Sequence, residues 1–312
     1  MNRASRTSAA IAVAAIGASV LSACGGSEPI QQPFASIATT TTRLASANII
    51  GLDRKADEAC AAPVVGGPAP AGIVVADPAL LDGLCALGLQ NRVRAVGGAA
   101  PSYLGGTIAK IPQLGDDARA DVSVGTERSA DANRRAGRTT VVPAPSADWR
   151  RSFLALADAV RMPAEARAVL DRYQRDVAEK SVKIDAIHNV VSLVRFTDQG
   201  RALAMGTAPL AAQVLADLGV ERPEGQRRAD PVEMSGGDYS AADADLVYVG
   251  YQGDEGRDFG MSVMTSKQWD DLRAVSAKRQ LLVQDEAWFS AGGPVAAGIV
   301  VHDVTNTIKA SS

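Results

Sequence analysis

Residues 163–187 carry one unbroken helical stripe, and a helix of that length limits what can be built around it. Pro163 opens it, and Ala166, Leu170, Tyr173, Val177 and Ile184 recur at spacings of three, four or seven. At 1.5 Å per residue, about 25 residues run roughly 37 Å, the length of a small domain. A shorter helix, capped by Asp148 and ending near Val160, precedes it. The pair reads as a strut, and the chain on either side supplies what it joins.

Before the strut, residues 72–76 read as a buried strand ending at Asp77-Pro78. Asp77 caps and Pro78 starts a helix that runs through Leu87 and closes at Gly88. Residues 92–96 give the next strand, so the order implies a right-handed parallel unit. Strands at 121–125 and 139–142 follow, with a short helical piece at 129–136 between them. After the strut, strands are expected at 190–196, 202–205, 246–250 and 280–284. Helices are expected at 209–218, 267–275 and 294–307. Gly292-Gly293-Pro294 either simply opens the last helix or turns free N–H groups toward a ligand. Trp149 and Trp269 read as packing residues. The fold class is α/β: two Rossmann-like lobes, 51–147 and 189–312, joined by a single long backbone helix within 148–188.

The N-terminus reads as an export signal over residues 1–23. Arg3 and Arg6 form its basic start, and 13 uncharged residues, 9–21, form a core too short to span a bilayer. Leu21-Ser22-Ala23-Cys24 resembles a bacterial lipobox, in which the cysteine is lipidated and becomes the first mature residue. The alternative is an ordinary secretory signal with an incidental cysteine. The lipobox reading anchors the protein through Cys24 on the outer face of the cytoplasmic membrane. Residues 24–50, rich in Ser, Thr, Gln and Pro, read as a flexible tether. Losing Arg3 and Arg6 takes the net charge from −3 to −5, which argues against a nucleic-acid partner. Cys60 and Cys85 remain as an even pair in an oxidising compartment. Either they bridge a loop of about 25 residues, worth roughly 3 kcal/mol, or Cys85 is a reduced core residue.

Catalytic signatures are missing. There is no nucleophile elbow, no phosphate-binding Gly-Lys loop and no dinucleotide fingerprint. The two histidines, His188 and His302, lie far apart without ligand spacing. The chain therefore reads as a non-enzyme without cofactor or direct metal site, and any metal would arrive already chelated. What remains are polar and aromatic residues at the C-terminal ends of strands, where open α/β sheets bind ligands. In the first lobe these are Tyr103 and Thr126-Glu127-Arg128. In the second they are Arg195, Arg201, Tyr251-Gln252 and Trp288-Phe289. Forked guanidinium donors and flat rings on two facing rims suit a planar or amphipathic anion.

These residues sit in segments that resemble the substrate-binding lipoproteins of ferric-siderophore and cobalamin ABC importers, the class III periplasmic binding proteins, and among them the FecB-type iron-siderophore lipoproteins. The resemblance is carried by Gly51-Leu52-Asp53-Arg54-Lys55 with Cys60, and by Leu81-Asp82-Gly83-Leu84-Cys85-Ala86-Leu87-Gly88. Pro101-Ser102-Tyr103-Leu104-Gly105, Leu218-Gly219-Val220-Glu221-Arg222-Pro223 and the segment from Asp238 to Asp245 extend it. It implies two lobes about a rigid helix, a shallow cleft, little closure, and a monomer that captures a ferric siderophore for a permease. Haem or a corrinoid is the alternative cargo, and a non-transport cell-envelope interaction protein is the alternative role. Docking through one acid on each lobe is implied, with Asp238, then Glu233, in the second lobe and Asp116 in the first. The first lobe departs from the pattern, since only Ala118 and Arg119 stand where the family carries a whole helix.

Overall fold

The computed structural model describes residues 41–44, 47–51, 54, 59–146 and 148–309 of the chain. All of them fall in one compact unit, Gln32–Ser312. The export signal, Cys24 and the first part of the tether lie outside the described residues.

β1 (Thr41–Leu44) and β2 (Ala47–Ile50) form an antiparallel hairpin. β2 then pairs in parallel with the last strand of the chain, Leu281 beside Asn48. Residues 41–50, which read as tether, are therefore part of a sheet. Ile50 is buried in one core and Ile49 packs against the other, and backbone ladder bonds fill the open sheet edge. Composition alone could not reveal it.

The first lobe is β3 (Ile73–Val75), α1 (Leu81–Ala86), β4 (Val93–Val96), α2 (Gly106–Ala109), β5 (Val122–Gly125), α3 (Ala130–Arg135) and β6 (Thr139–Val141). The strands are all parallel, in the order β4-β3-β5-β6. Asp77 accepts the Ala79 N–H at 3.0 Å and so caps the turn into α1. Cys60 and Cys85 are disulfide-bonded, Cα atoms 4.6 Å apart, which pins the incoming chain to α1.

Asp148 caps α4 (Trp149–Ala159) by accepting the Arg150 and Arg151 N–H groups, each at 3.1 Å. α5 (Pro163–Lys183) has 21 residues, about 31 Å of helix. Its buried stripe is Ala166, Val169, Tyr173 and Val177, with Trp149 edge-on to Tyr173 at 5.3 Å.

The second lobe holds β7 (Val191–Phe196), β8 (Ala202–Ala204), α6 (Leu210–Asp217), β9 (Val232–Met234), β10 (Leu246–Tyr251), α7 (Gly253–Met264), α8 (Lys267–Asp270), α9 (Arg273–Ser276), β11 (Gln280–Leu282) and α10 (Pro294–Lys309). Its sheet runs β1-β2-β11-β10-β7-β8-β9, with β7, β10, β11 and β2 parallel. α7 is absent from the sequence reading, and the helix expected at 267–275 breaks into α8 and α9.

Central strands of this sheet are buried on both faces, as parallel strands usually are. On β10, Leu246 and Tyr248 enter one core while Val247 and Val249 enter another. The first core continues through α10, α5 and α4 to α1 and β3 of the other lobe. α10 packs against α1, α5 and α6. The lobes thus share apolar interior and are not merely strung on one helix.

Candidate functional site

The C-terminal edges of the two sheets meet. The loop after β4 brings Ser102 against Glu286, which follows β11. The Glu286 carboxylate accepts the Ser102 N–H at 2.8 Å and its hydroxyl at 2.5 Å. A cavity of about 270 Å³ lies at this junction. Ser102 and Tyr103 line it from the first lobe; Ile49, Ile50 and Gly51 line it from the end of β2; Val283 and Gln284 line it from the end of β11; and Arg54 completes it. Sites that enclose a drug-sized ligand occupy about 300–1,000 Å³. At about 270 Å³ the recess falls just below that range.

Arg54 is the buried charge of the recess, its side chain 4 % exposed. Nη2 pairs with Asp303 at 2.5 Å and Nη1 donates to Gln284 at 3.4 Å, while Nε has no acceptor among the described residues. Gly51 makes room for it. At φ 76° it takes a conformation that side chains avoid, and a Cβ there would stand 2.6 Å from Arg54 Nη2.

Tyr103 lines the recess, but its hydroxyl points inward and donates to Asp82 at 2.9 Å. Asp82 is completely buried and also accepts the Val295 and Ala296 N–H groups, both at 2.9 Å. The backbone donors behind Gly292-Gly293-Pro294 therefore meet a carboxylate of the opposite lobe. A Cβ on Gly293 would stand 2.1 Å from Asp82 Oδ1 and one on Gly292 2.5 Å from Pro145, so both glycines permit the lobes to approach. Burial pushes the Asp82 carboxyl up to about 6, against the pull of its three donors.

Arg195 reaches the second-lobe rim from β7, its side chain 16 % exposed. It forks onto Asp285 at 2.8 and 2.5 Å, bonds Ser290 at 2.8 Å, and lies 5.8 Å from the Phe289 ring centroid. Its charge is already matched, so it offers an anion only what the Asp285 pair leaves over. Arg201 is half-exposed beyond the β7–β8 turn, 3.9 Å from Glu233. Tyr251 is half-buried against Phe196, ring centroids 6.0 Å apart, with its hydroxyl toward the Met261 and Met264 sulfurs. It packs on α7 and does not line the recess.

Trp288 corrects the sequence reading outright. It is wholly buried, 4.5 Å from the Tyr248 ring, with its N–H on Asp303 at 3.2 Å. The π-helical turn over Glu286–Ser290 rotates it inward. Its indole therefore builds the floor that orients Asp303, and Asp303 holds Arg54. On the first-lobe rim Thr126 is buried as a cap, while Arg128 is exposed. Arg128 borders two open grooves of about 490 and 560 Å³.

Asp116, Glu233 and Asp238 are all exposed. The Ser240 hydroxyl and N–H hold the Asp238 carboxyl below its usual range. Asp116 follows the Gln113 bridge to Val96, and Asp238 follows β9. Asp238 thus lies past the C-terminal end of an edge strand, and Asp116 past an isolated bridge beside edge strand β4. Among the described residues no group of three or more His, Cys, Asp or Glu could hold a metal ion.

This arrangement, two α/β lobes on a helical spine, is the FhuD fold. SirA of Staphylococcus aureus, complexed with staphyloferrin B, superposes with TM-score 0.62 at 17% identity, over 79% of this chain and 95% of that one. FhuD2 of the same organism, with bound ferrioxamine B, gives 0.63 at 17% identity, over 78% and 100%. Both are likenesses of fold. In sequence the chain is 25% identical over 210 residues to the probable siderophore-binding lipoprotein YfiY of Bacillus subtilis. That match covers 63% of this chain and 64% of its relative, so just under two thirds of that relative's length is spanned. No protein-family model matches.

Proposed function

We propose that this protein is a lipid-anchored receptor that captures a ferric siderophore at the junction of its lobes and delivers it to an ABC importer. One observation carries the reading: a buried arginine, Arg54, beside Tyr103 in a recess that both lobes wall, within a fold whose solved members hold staphyloferrin B and ferrioxamine B. A siderophore supplies every ligand to its iron, so the receptor needs cations and rings and no donor set of its own. Exposed Arg128 supplies charge at the first-lobe rim, Arg54 offers only what its Asp303 pair leaves over, Tyr103 an apolar face, and Ser102 and Gln284 hydrogen-bonding partners. Arg195 and Arg201 extend the rim. Asp238 or Glu233 with Asp116 fits a two-point acidic contact with a permease, and acylation at Cys24 would hold the receptor beside it. The lipoprotein name of the Bacillus relative supports an extracytoplasmic place.

Calorimetric titration of the chain from residue 24 tests this with ferric and iron-free siderophores of hydroxamate, citrate and mycobactin type, and with haem. All three tryptophans are fully buried, so heat is a better signal than their fluorescence. Saturable binding of a ferric siderophore, lost with its iron-free form, is the expected result. Heat from haem alone moves the cargo to a porphyrin, and silence from every compound sinks the reading.

A further inference from the structure

A second groove lies away from the ligand edge, beside α6. It has a volume of about 610 Å³ and is walled by Arg150, Arg222 and Arg227, with Ala212, Ala216 and Val220 as an apolar strip. Its position is opposite to the recess: Glu221 bridges to Val190 at the start of β7, whereas the recess lies past the strand ends.

Arg222 is the unusual member. It is 7 % exposed, and only its Nη2 is bonded, to the Met205 carbonyl at 2.7 Å and to Gln226 at 2.5 Å. Nε and Nη1 have no acceptor among the described residues. Burial lowers its pKa only to about 10, so it is cationic at neutral pH. Two carboxylates, Asp217 and Glu221, line the same groove, and neither is bonded to Arg222. Asp217 takes Arg150 and the Tyr173 hydroxyl, and Glu221 takes Arg227. An unmatched buried guanidinium is costly, and the simplest relief is an anion from outside.

The rim is suited to admit one. Arg150 is held over the rings of Trp149 and Tyr173, at 4.3 and 5.4 Å. Arg227 is exposed and, among the described residues, tied only to Glu221 at 3.3 Å and to the Arg222 carbonyl at 2.7 Å. An exposed guanidinium so lightly held is free to turn onto an anion that enters the groove. We infer that this groove is a binding site for a small oxyanion, a carboxylate or phosphate, held by Arg222 and Arg227 independently of the ligand at the lobe junction.

The Nε–H resonance of Arg222 in ¹H–¹⁵N spectra of the whole mature protein reports on it directly. Inorganic phosphate and hexanoate are titrated separately, at constant ionic strength. A saturable shift with a midpoint in the millimolar range is expected from at least one, and the stronger of the two names the source. Arg227→Gln, a surface change, should weaken that midpoint roughly tenfold and leave siderophore titration heats unaltered. Arg222→Gln should abolish the response, read on the neighbouring Val220 and Glu221 amides; if that variant does not fold, Arg227→Gln decides alone. No saturable shift with either anion, or a midpoint indifferent to Arg227→Gln, overturns the assignment.

Discussion

Asp82 concentrates the energetics of the lobe junction in one carboxyl. Its pKa in the folded chain is raised from 3.8 to about 6 by burial, so the native state holds its proton more tightly than the unfolded state does. The stabilising contribution is complete below the unfolded value and is lost as pH rises through the folded one. Urea unfolding at pH 4 and pH 7 should therefore show wild type losing roughly 2 kcal/mol relative to Asp82→Asn. Equal pH slopes for the two proteins would remove Asp82 from that role. Gly293→Ala should cost about 1–3 kcal/mol by overpacking, seen as a lower urea midpoint, because its methyl would press on Asp82 Oδ1. Single residues also mark where the sequence stopped being readable. Tyr103 follows a strand end and lines the recess, yet it is 3 % exposed and its hydroxyl is spent on Asp82. Trp288 obeys the same positional rule yet is buried, since a π-helical turn has no signature that sets it apart from a loop. Arg54 went unread as a site residue because its place depends on Asp303, 249 positions away, and no local pattern encodes that pairing.

Among the elements, those with period and caps were legible and those built from backbone alone were not. α1 with its Asp77 cap, α4, α5 and the parallel strands follow from apolar spacing and end signals. α7 did not, because Gly253, Gly256 and Gly260 read as loop. The last two glycines are there for close approach: a Cβ on Gly256 would stand 2.7 Å from the Phe196 carbonyl oxygen, and one on Gly260 2.5 Å from the Tyr251 ring. Gly256→Ala sets two effects against each other. Helix propensity gains up to about 1 kcal/mol, whereas forcing α7 off the sheet costs about 1–3 kcal/mol. The clash is with backbone, which cannot rotate away, so net destabilisation is expected in urea titration, and a rise in midpoint would refute the packing account. The disulfide makes the same point about chain connection. Cys60→Ser with Cys85→Ser should lower stability by about 3 kcal/mol, measured under conditions where the wild-type bridge stays oxidised. The β1–β2 hairpin was invisible as structure because β2 is held by ladder bonds to β11, more than 200 residues away in sequence, and two isoleucines in a polar stretch do not announce a strand.

Among the described residues, polar ties and one shared core join the lobes. Ser102 is bound to Glu286, Asp82 to the start of α10, and apolar packing runs from β3 through α1 and α10 to β10. Opening the lobes as a hinge would expose that packing at about 25 cal/mol per Å² of apolar surface, so a few hundred Å² would cost several kcal/mol. The binding energy of a shallow site is better kept than spent on such a motion. Of the ties, only Ser102–Glu286 lies at the open rim, and it alone can break without unpacking the interior. Spin labels at Lys110 and Asp254, exposed positions in the two lobes, read this out as a distance distribution. Saturation with a ferric siderophore should move the mean by less than about 2 Å. Glu286→Ala should broaden the distribution in the free protein, and ligand should narrow it again, because an occupant spanning both walls replaces the lost tie. A ligand-driven shift of several ångströms would mean that the shared core slides or opens, and the static junction described by Asp82, Gly293 and α10 would have to be abandoned.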